Sequence, residues 1–326
     1  MIIKEDTMSK PKILVVGSFV MDNIYTMPKF PVLGQTVLGT GFSTAPGGKG
    51  ANQAVQCARL GADVTMLGKL GCDATGDRMI EVMKENNIDV SLVTRTPDHP
   101  SAVANIQVEQ TEEGSNNRIV VISGANMEIK DEDIACLKDT IKNYDMVIMQ
   151  FEIPIDIDEK VAQMAHAAGV PVMVNPAPSA PISDILIANT DILSSNETEC
   201  ADITGVEIRK DGKKPNIDDI KKATKVLFDK GCKSVLITLG NAGAAYCTCD
   251  GKIIHAPAIE GVVAVDPTAA GDSFIGAFCT YTAGGMPIED ALRKANYTAA
   301  CTVTRMGAMP SLPTLKQVDD YIASKN

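Results

Sequence analysis

Uninterrupted apolar runs recur along the chain. Lys12–Val16, Met146–Met149, Val170–Val174 and Ser234–Leu239 carry no polar alternation, the pattern of strands buried on both faces. Helical stripes separate them. Ala51, Ala54, Val55 and Ala58 share one face and end at Gly61, and Ile80 with Met83 marks a helix closing before Ile88. Val161, Met164, Ala165 and Ala168 repeat the pattern before Gly169 and Pro171. Further helices are predicted over Ile220–Phe228, over Glu289–Val303, and at the end through Leu315, Val318 and Ile322. Strand and helix in alternation predict an α/β fold of three αβα layers, Rossmann-like, with a mostly parallel sheet.

Two stretches break the alternation. Residues 23–45 hold Pro28, Pro31, Gly34, Gly39 and Gly41 between short β-prone pieces. In residues 98–125, Ala102, Ala104, Ile106 and Val108 alternate with more polar positions. A polar turn, Thr111–Asn117, then leads to Arg118–Ser123. Both read as hairpins, so the expected organisation is a small inserted β lid, 23–45 with 98–125, on one αβα domain. That domain takes 11–22, 46–97 and 126–326, and residues 1–10 form a flexible tail. Ala244–Thr248 and Lys252–His255 suggest one more hairpin, and Ile208–Asn216 a charged, solvated loop.

Composition narrows the classes. With 326 residues and 45% apolar content the chain can bury a large core. A net charge of −11 argues against nucleic acid and anionic membranes as partners. No apolar run reaches the length of a membrane span, and the acidic start is unlike a signal peptide. Nine scattered cysteines fit reduced thiols in a cytoplasm. Cys247 and Cys249 lack a second pair at metal spacing and read as strand residues. Of three histidines, His166 lies off its helix stripe and His255 sits in a strand, so both are expected to face solvent. A histidine metal site and a hydrolase elbow find no support.

The chemistry gathers in Ala264–Phe274, AVDPTAAGDSF. Val262–Val265 is an apolar strand end, small residues make a turn, and Asp272 stands where a helix begins, before Phe274, Ile275 and Phe278. Unpaired N–H groups at such a helix start suit a phosphate. A carboxylate there can take a proton from an attacking hydroxyl, or it can simply cap the helix. Gly47–Ala54, GGKGANQA, brings glycines to another helix start, but Ser43 and Gly50 occupy the positions where a P-loop needs Gly and Ser or Thr. Asp22, Glu152 and Asn175 follow strand ends, where open α/β sheets bind ligands. Asn196 and Glu199 lie one helical turn apart, as a capping box or as a pair ordering a metal ion's waters. Gly240 and Gly243 follow a strand as a lone G-x-x-G, a weak signal by itself.

GGKGANQ and D-x-T-A-A-G-D together resemble the signatures of the ribokinase-like (PfkB) sugar kinases, and the likeness runs from about Lys12 to the C-terminus. It implies the ribokinase-like fold and ATP-dependent phosphorylation of a sugar hydroxyl, ribose first. Asp272 is then the catalytic base, and Ala269, Ala270 and Gly271 complete the anion hole. It implies sugar contacts from Asp22, Gly48, Lys49, Gly50, Asn52 and Glu152. Nucleotide contacts would come from Asn196, Thr238, Gly240, Gly243, Gly271 and Asn296. Mg²⁺ would be held through water by Asn196 and Glu199. K⁺ would lie among Asp266, Thr268, Thr302, Arg305, Gly307 and Ser311. A lid-to-lid homodimer is the expected assembly. Two positions depart from the pattern: Val20 stands where the family has Asn, and Pro267 where it has Thr. A nucleoside, deoxyribose or other sugar kinase of the family, or a sugar-binding regulator without catalysis, are the alternatives.

Overall fold

The computed structural model describes residues 10–111 and 114–325. The expected flexible tail, 1–10, therefore lies almost wholly outside the described residues. Nine strands form the main sheet: β1 (Lys12–Val16), β4 (Asp63–Gly71), β5 (Asp89–Thr96), β8 (Met146–Gln150), β9 (Val172–Asn175), β10 (Ile192–Asn196), β13 (Ser234–Thr238), β14 (Ala244–Thr248) and β15 (Ile253–Ala256). Their order is β15-β14-β13-β10-β9-β8-β1-β4-β5, antiparallel only where β14 meets β13 and β15. The uninterrupted apolar runs are explained by the layers. Ile13 and Val15 of β1 pack into one core and Leu14 and Val16 into the opposite one.

The first of those cores is covered by α1 (Lys49–Arg59), α2 (Ala74–Glu85), α9 (Ala270–Ala283), α10 (Ile288–Val303) and α11 (Leu315–Lys325). The opposite face carries α3 (Asp131–Ile134), α4 (Leu137–Thr140), α5 (Ile155–Ala167) and α6 (Asp184–Ala188). Beyond them lie α7 (Glu197–Thr204) and α8 (Ile217–Phe228). Helices α1 and α9 cross closely because Gly276 has no side chain. A Cβ there would sit 2.8 Å from Gln56 Cβ. Among the described residues no helix is long and apolar enough to cross a membrane.

A separate four-stranded sheet has the order β3-β2-β6-β7, from β2 (Val20–Met27), β3 (Gly41–Gly47), β6 (Val103–Thr111) and β7 (Gly114–Ile122). The two hairpins of the sequence do pair, through parallel β2 and β6. Two details differ from the sequence reading. This sheet already includes Val20–Asp22, so Asp22 rides on the lid. Strand β7 begins at Gly114, so the polar turn is shorter than Thr111–Asn117, and its centre, 112–113, is outside the described residues. The connection from body to lid is fixed at Phe19: its N–H donates to Asn126 Oδ1 at 3.1 Å, and its carbonyl accepts from Asn126 Nδ2 at 2.8 Å.

Other corrections come from tertiary context. Val262–Val265 is no strand. The sheet ends at β15, and Val263 and Val265 are exposed, with only the Val265 N–H reaching Val303 O. Strand β5, DVSLVTRT, escaped sequence reading because it is an edge strand with only one end buried. In 208–216, Lys210–Asp211 and Lys214–Pro215 pair as β11 and β12, a short hairpin. His255 is half-buried rather than solvated, with Nε2 2.7 Å from Ala242 O.

Candidate active site

Strand β1 has β4 on one side and β8 on the other, the point where the sheet's order reverses. Ligand crevices form outside the C-terminal ends of strands at such a point. Ser18, Gln150, Glu152, Asn175 and Asn196 stand at or just past these ends. Facing them are the first turns of α1 and α9.

Helix α9 begins at Ala270, not at Asp272. Ala269 is its N-cap, with φ 61° and no side-chain cap. A left-handed alanine costs about 1–2 kcal/mol, strain of the kind stored at functional sites. The N–H groups of Gly271 and Asp272 meet no protein acceptor among the described residues. Asp272 is buried in the third helical position, and its carboxylate caps nothing. Its Oδ2 accepts from Asn52 Nδ2 at 3.0 Å and its Oδ1 from Gln53 Nε2 at 3.0 Å. Burial pushes its carboxyl above the ordinary Asp value, while Lys49 and the two amides pull it back down. Lys49 shows the reverse balance. Burial lowers it, yet the charges of Asp272, Glu152 and Glu199 hold it above the usual lysine value.

A cavity of about 200 Å³ opens on this turn. Lys49, Asp272 and Ala269–Gly271 line one side, and Asn196, Glu199 and Thr238 the other. Ser194 and Ser195 also line it, and their hydroxyls are buried with no hydrogen-bond partner among the described residues. Asn196 and Glu199 form the capping box: Asn196 Oδ1 accepts from Glu199 N–H at 2.8 Å, and Glu199 Oε2 from Asn196 N–H at 2.9 Å. Glu199 Oε1 has no hydrogen bond among the described residues. Spare oxygens of this kind suit a hydrated Mg²⁺ carried on phosphates, which needs few protein ligands. No group of three or more His, Cys, Asp or Glu side chains converges among the described residues.

The glycine-rich start of α1 serves a different end. A Cβ at Gly48 would lie 2.7 Å from Val20 N, and one at Gly50 2.5 Å from Ser18 N. These glycines admit the chain's own β1–β2 connection. Glu152 Oε2 takes the Lys49 N–H at 2.9 Å and the Ser18 hydroxyl at 2.5 Å. Asp22 presses its carboxylate on Gly47, where a Cβ would come within 2.9 Å of Oδ2. Burial, then the charge of Glu152, raises Asp22 to about 6.

Several expected nucleotide residues do not line the cavity. Gly243 is packed on β15, where a Cβ would meet Ala256 O at 2.0 Å. Gly240 opens a single 3₁₀ turn near Glu197. Asn296 Nδ2 binds the carbonyls of Ala256 and Pro257 at 3.1 and 3.0 Å, fastening that loop. Of the expected cation residues, Asp266, Thr268 and Gly307 come together. Gly307 N–H and both donors of Thr268 reach the Asp266 carboxylate at 2.8, 2.9 and 2.6 Å. Those bonds hold Asp266 below the usual carboxylate value despite burial. The Ser311 hydroxyl turns to Ala308 O, and Thr302 O accepts from Arg305 N–H. The carbonyls of Thr268, Arg305 and Gly307 receive no protein N–H among the described residues, which fits a monovalent cation.

Residues 10–315 match the model of the pfkB family carbohydrate kinases. The chain belongs to that family. It is a sugar kinase of the phosphotransferase class. It is 40% identical to a ribokinase of Schizosaccharomyces pombe over 94% of this chain and 96% of the relative. A deoxyribokinase of Salmonella typhi is 34% identical, over 95% and 98%. An Arabidopsis thaliana ribokinase solved with ribose and ATP superposes with a TM-score of 0.87 at 32% identity, covering 96% of this chain and 99% of that one. The ribokinase-like fold expected from the sequence is thus found.

Sequence reasoning gave no role to Ser18, Gln53 or Gln150. Gln53 stands inside GGKGANQ, and that was the one available signal. Ser18 and Gln150 act through contacts more than 90 residues away, with separations of 134 and 97.

Proposed function

We propose that the chain is a ribokinase, transferring the γ-phosphoryl group of ATP to the 5-hydroxyl of D-ribose. One observation carries this: a buried Asp272 carboxylate, held by two amides, adjoins a helix start where the N–H groups of Gly271 and Asp272 meet no acceptor among the described residues. Asp272 takes the hydroxyl proton, the sugar oxygen bonds to the γ-phosphorus, and the bridging P–O bond breaks to release ADP. The N–H groups of Gly271 and Asp272, with Lys49, offset the charge of the moving group, and Ala269 and Ala270 keep its approach unobstructed. Mg²⁺, when bound through water by Asn196 and Glu199, supplies charge neutralisation on the phosphates.

The sugar is held by Asp22, Asn52 and Lys49, with Gly48, Gly50 and Glu152 shaping the wall. Thr238 meets the nucleotide beside Asn196, while Gly240, Gly243 and Asn296 support it by fixing adjoining loops. K⁺ among Asp266, Thr268, Thr302, Arg305, Gly307 and Ser311 would stiffen the turn. The lid supports a homodimer, since edge strand β7 exposes Ile119, Val120, Val121 and Ile122. A cytoplasmic place of work agrees with nine free cysteines.

A second reading, a 2-deoxyribose kinase, is favoured by Val20. It packs with Ala102, Ala104 and Ile106 and offers a sugar no hydrogen bond. Coupled-assay turnover of ribose, 2-deoxyribose, fructose 6-phosphate and adenosine, with and without K⁺, tests both. The highest kcat/KM is expected for ribose. A preference for deoxyribose moves the assignment to the second reading, and a preference for either other substrate refutes both.

A further inference from the structure

Each oxygen of Asp272 faces one amide, and the two amides differ. Asn52 keeps its own Oδ1 buried and without a partner among the described residues. Gln53 is fully buried behind the carboxylate. Its side chain is saturated: Nε2 donates to Asp272 Oδ1 at 3.0 Å and to Asn175 Oδ1 at 3.3 Å, and Oε1 accepts from Gln150 Nε2 at 2.8 Å. An ionised carboxylate only accepts, so Gln53 must present its NH₂ group there. A flipped Gln53 would set oxygen against oxygen at Asp272 and NH₂ against NH₂ at Gln150. Gln150 is itself seated, because Gly17 leaves room that a Cβ, 2.1 Å from Gln150 Oε1, would fill.

We propose that Gln53 is a positioning residue for Asp272, and that Gln150 fixes which end of Gln53 faces the carboxylate. The proposal rests on reading Asp272 as the base. Such a donor does two things. It holds the carboxylate in one rotamer toward the helix start, and it stabilises the ionised form against burial, Lys49 acting in the same direction as the amides and Glu152 in the opposite one. Gln53 is satisfied in one orientation, while Gln150 Oε1, against Gly17, is buried without a partner among the described residues.

The test is the pH profile of kcat/KM for the sugar at saturating ATP. The native enzyme is compared with Gln53→Met, Gln53→Glu and Gln150→Met, and Asp272→Asn is the control. Gln53→Met is expected to move the midpoint of the acid limb up by about one pH unit, the loss of one hydrogen bond to a charged group. At pH 7 its kcat should fall about tenfold while the sugar KM stays within about twofold. Gln53→Glu, isosteric but anionic, should move the limb further, and Gln150→Met should move it the same way by less. Should Gln53→Met fail to fold by circular dichroism, the other two variants carry the comparison. Unmoved acid limbs in the folded glutamine variants, with Asp272→Asn inactive, overturn the proposal and leave Asp272 as base. An active Asp272→Asn overturns the underlying reading instead.

Discussion

Helices α1 and α9 start alike and end up opposite in use. Each follows a small-residue turn, and each has a positive-φ N-cap without a side-chain cap, Gly48 at φ 93° and Ala269 at φ 61°. At α1 the protein fills its own first turn. Lys49 N–H goes to Glu152, Gly50 N–H to the Ser18 hydroxyl at 3.2 Å and Ala51 N–H to Ser18 O at 2.9 Å. At α9 the corresponding groups of Gly271 and Asp272 are left open. The positive end of one helix meets an internal carboxylate, and that of the other is left open, an arrangement that suits an incoming anion. A motif rich in glycine therefore marks close backbone approach, and only the partner of each amide tells whether the visitor is the chain itself or a ligand.

The strongest way to break this contrast is Asp272→Asn. Turnover should fall by about a thousandfold or more, the range lost with a general base, while calorimetry still detects sugar binding. Unchanged turnover would make the open end of α9 irrelevant to catalysis.

Next comes a pair of glycine changes with opposite expected readouts. A Cβ at Gly271 meets nothing within 4 Å, so Gly271→Val should fold with an unchanged melting temperature. By crowding the phosphate it should lower kcat/KM for ATP about a hundredfold, the cost of misplacing a reacting group by an ångström. Gly50→Ala drives a methyl group to 2.5 Å from Ser18 N. It should cost about 3 kcal/mol of stability and several degrees of melting temperature. Equal effects of the two on stability would erase the distinction between a closed helix start and an open one.

The smallest effect concerns pH. Asp22 sits at about 6 instead of 3.8, from burial first and Glu152 second. Its folded value exceeds its unfolded one, so the stability it contributes is present below 3.8 and is lost as pH rises through about 6. If ionised Asp22 accepts sugar hydroxyls, the sugar KM should drop between pH 5 and pH 7, about three- to tenfold. Asp22→Asn should flatten that dependence. Glu152→Gln should move its midpoint down while weakening the α1 plug. A KM indifferent to pH would remove Asp22 from the sugar site.

Much of this was legible in the sequence, for local reasons. The runs at β1, β8 and β9 are apolar because both faces are covered, and Asn196 with Glu199 forms the capping box its spacing allows. What was not legible depended on distant partners. Nothing near Val262–Val265 says that the sheet stops at β15. Nothing local to Gly48 and Gly50 says that Val20 N and Ser18 N pack against them. Gln53 meets Asp272 across 219 positions of chain, so only the α1–α9 crossing reveals it.

The clasp between Phe19 and Asn126 has one more consequence. Because both backbone groups of Phe19 are engaged by a single amide of the main body, the small sheet is anchored to the large one at that crossing. The Asp22 carboxylate lies only three residues beyond this anchor, so its place is set from the body that also carries Asp272.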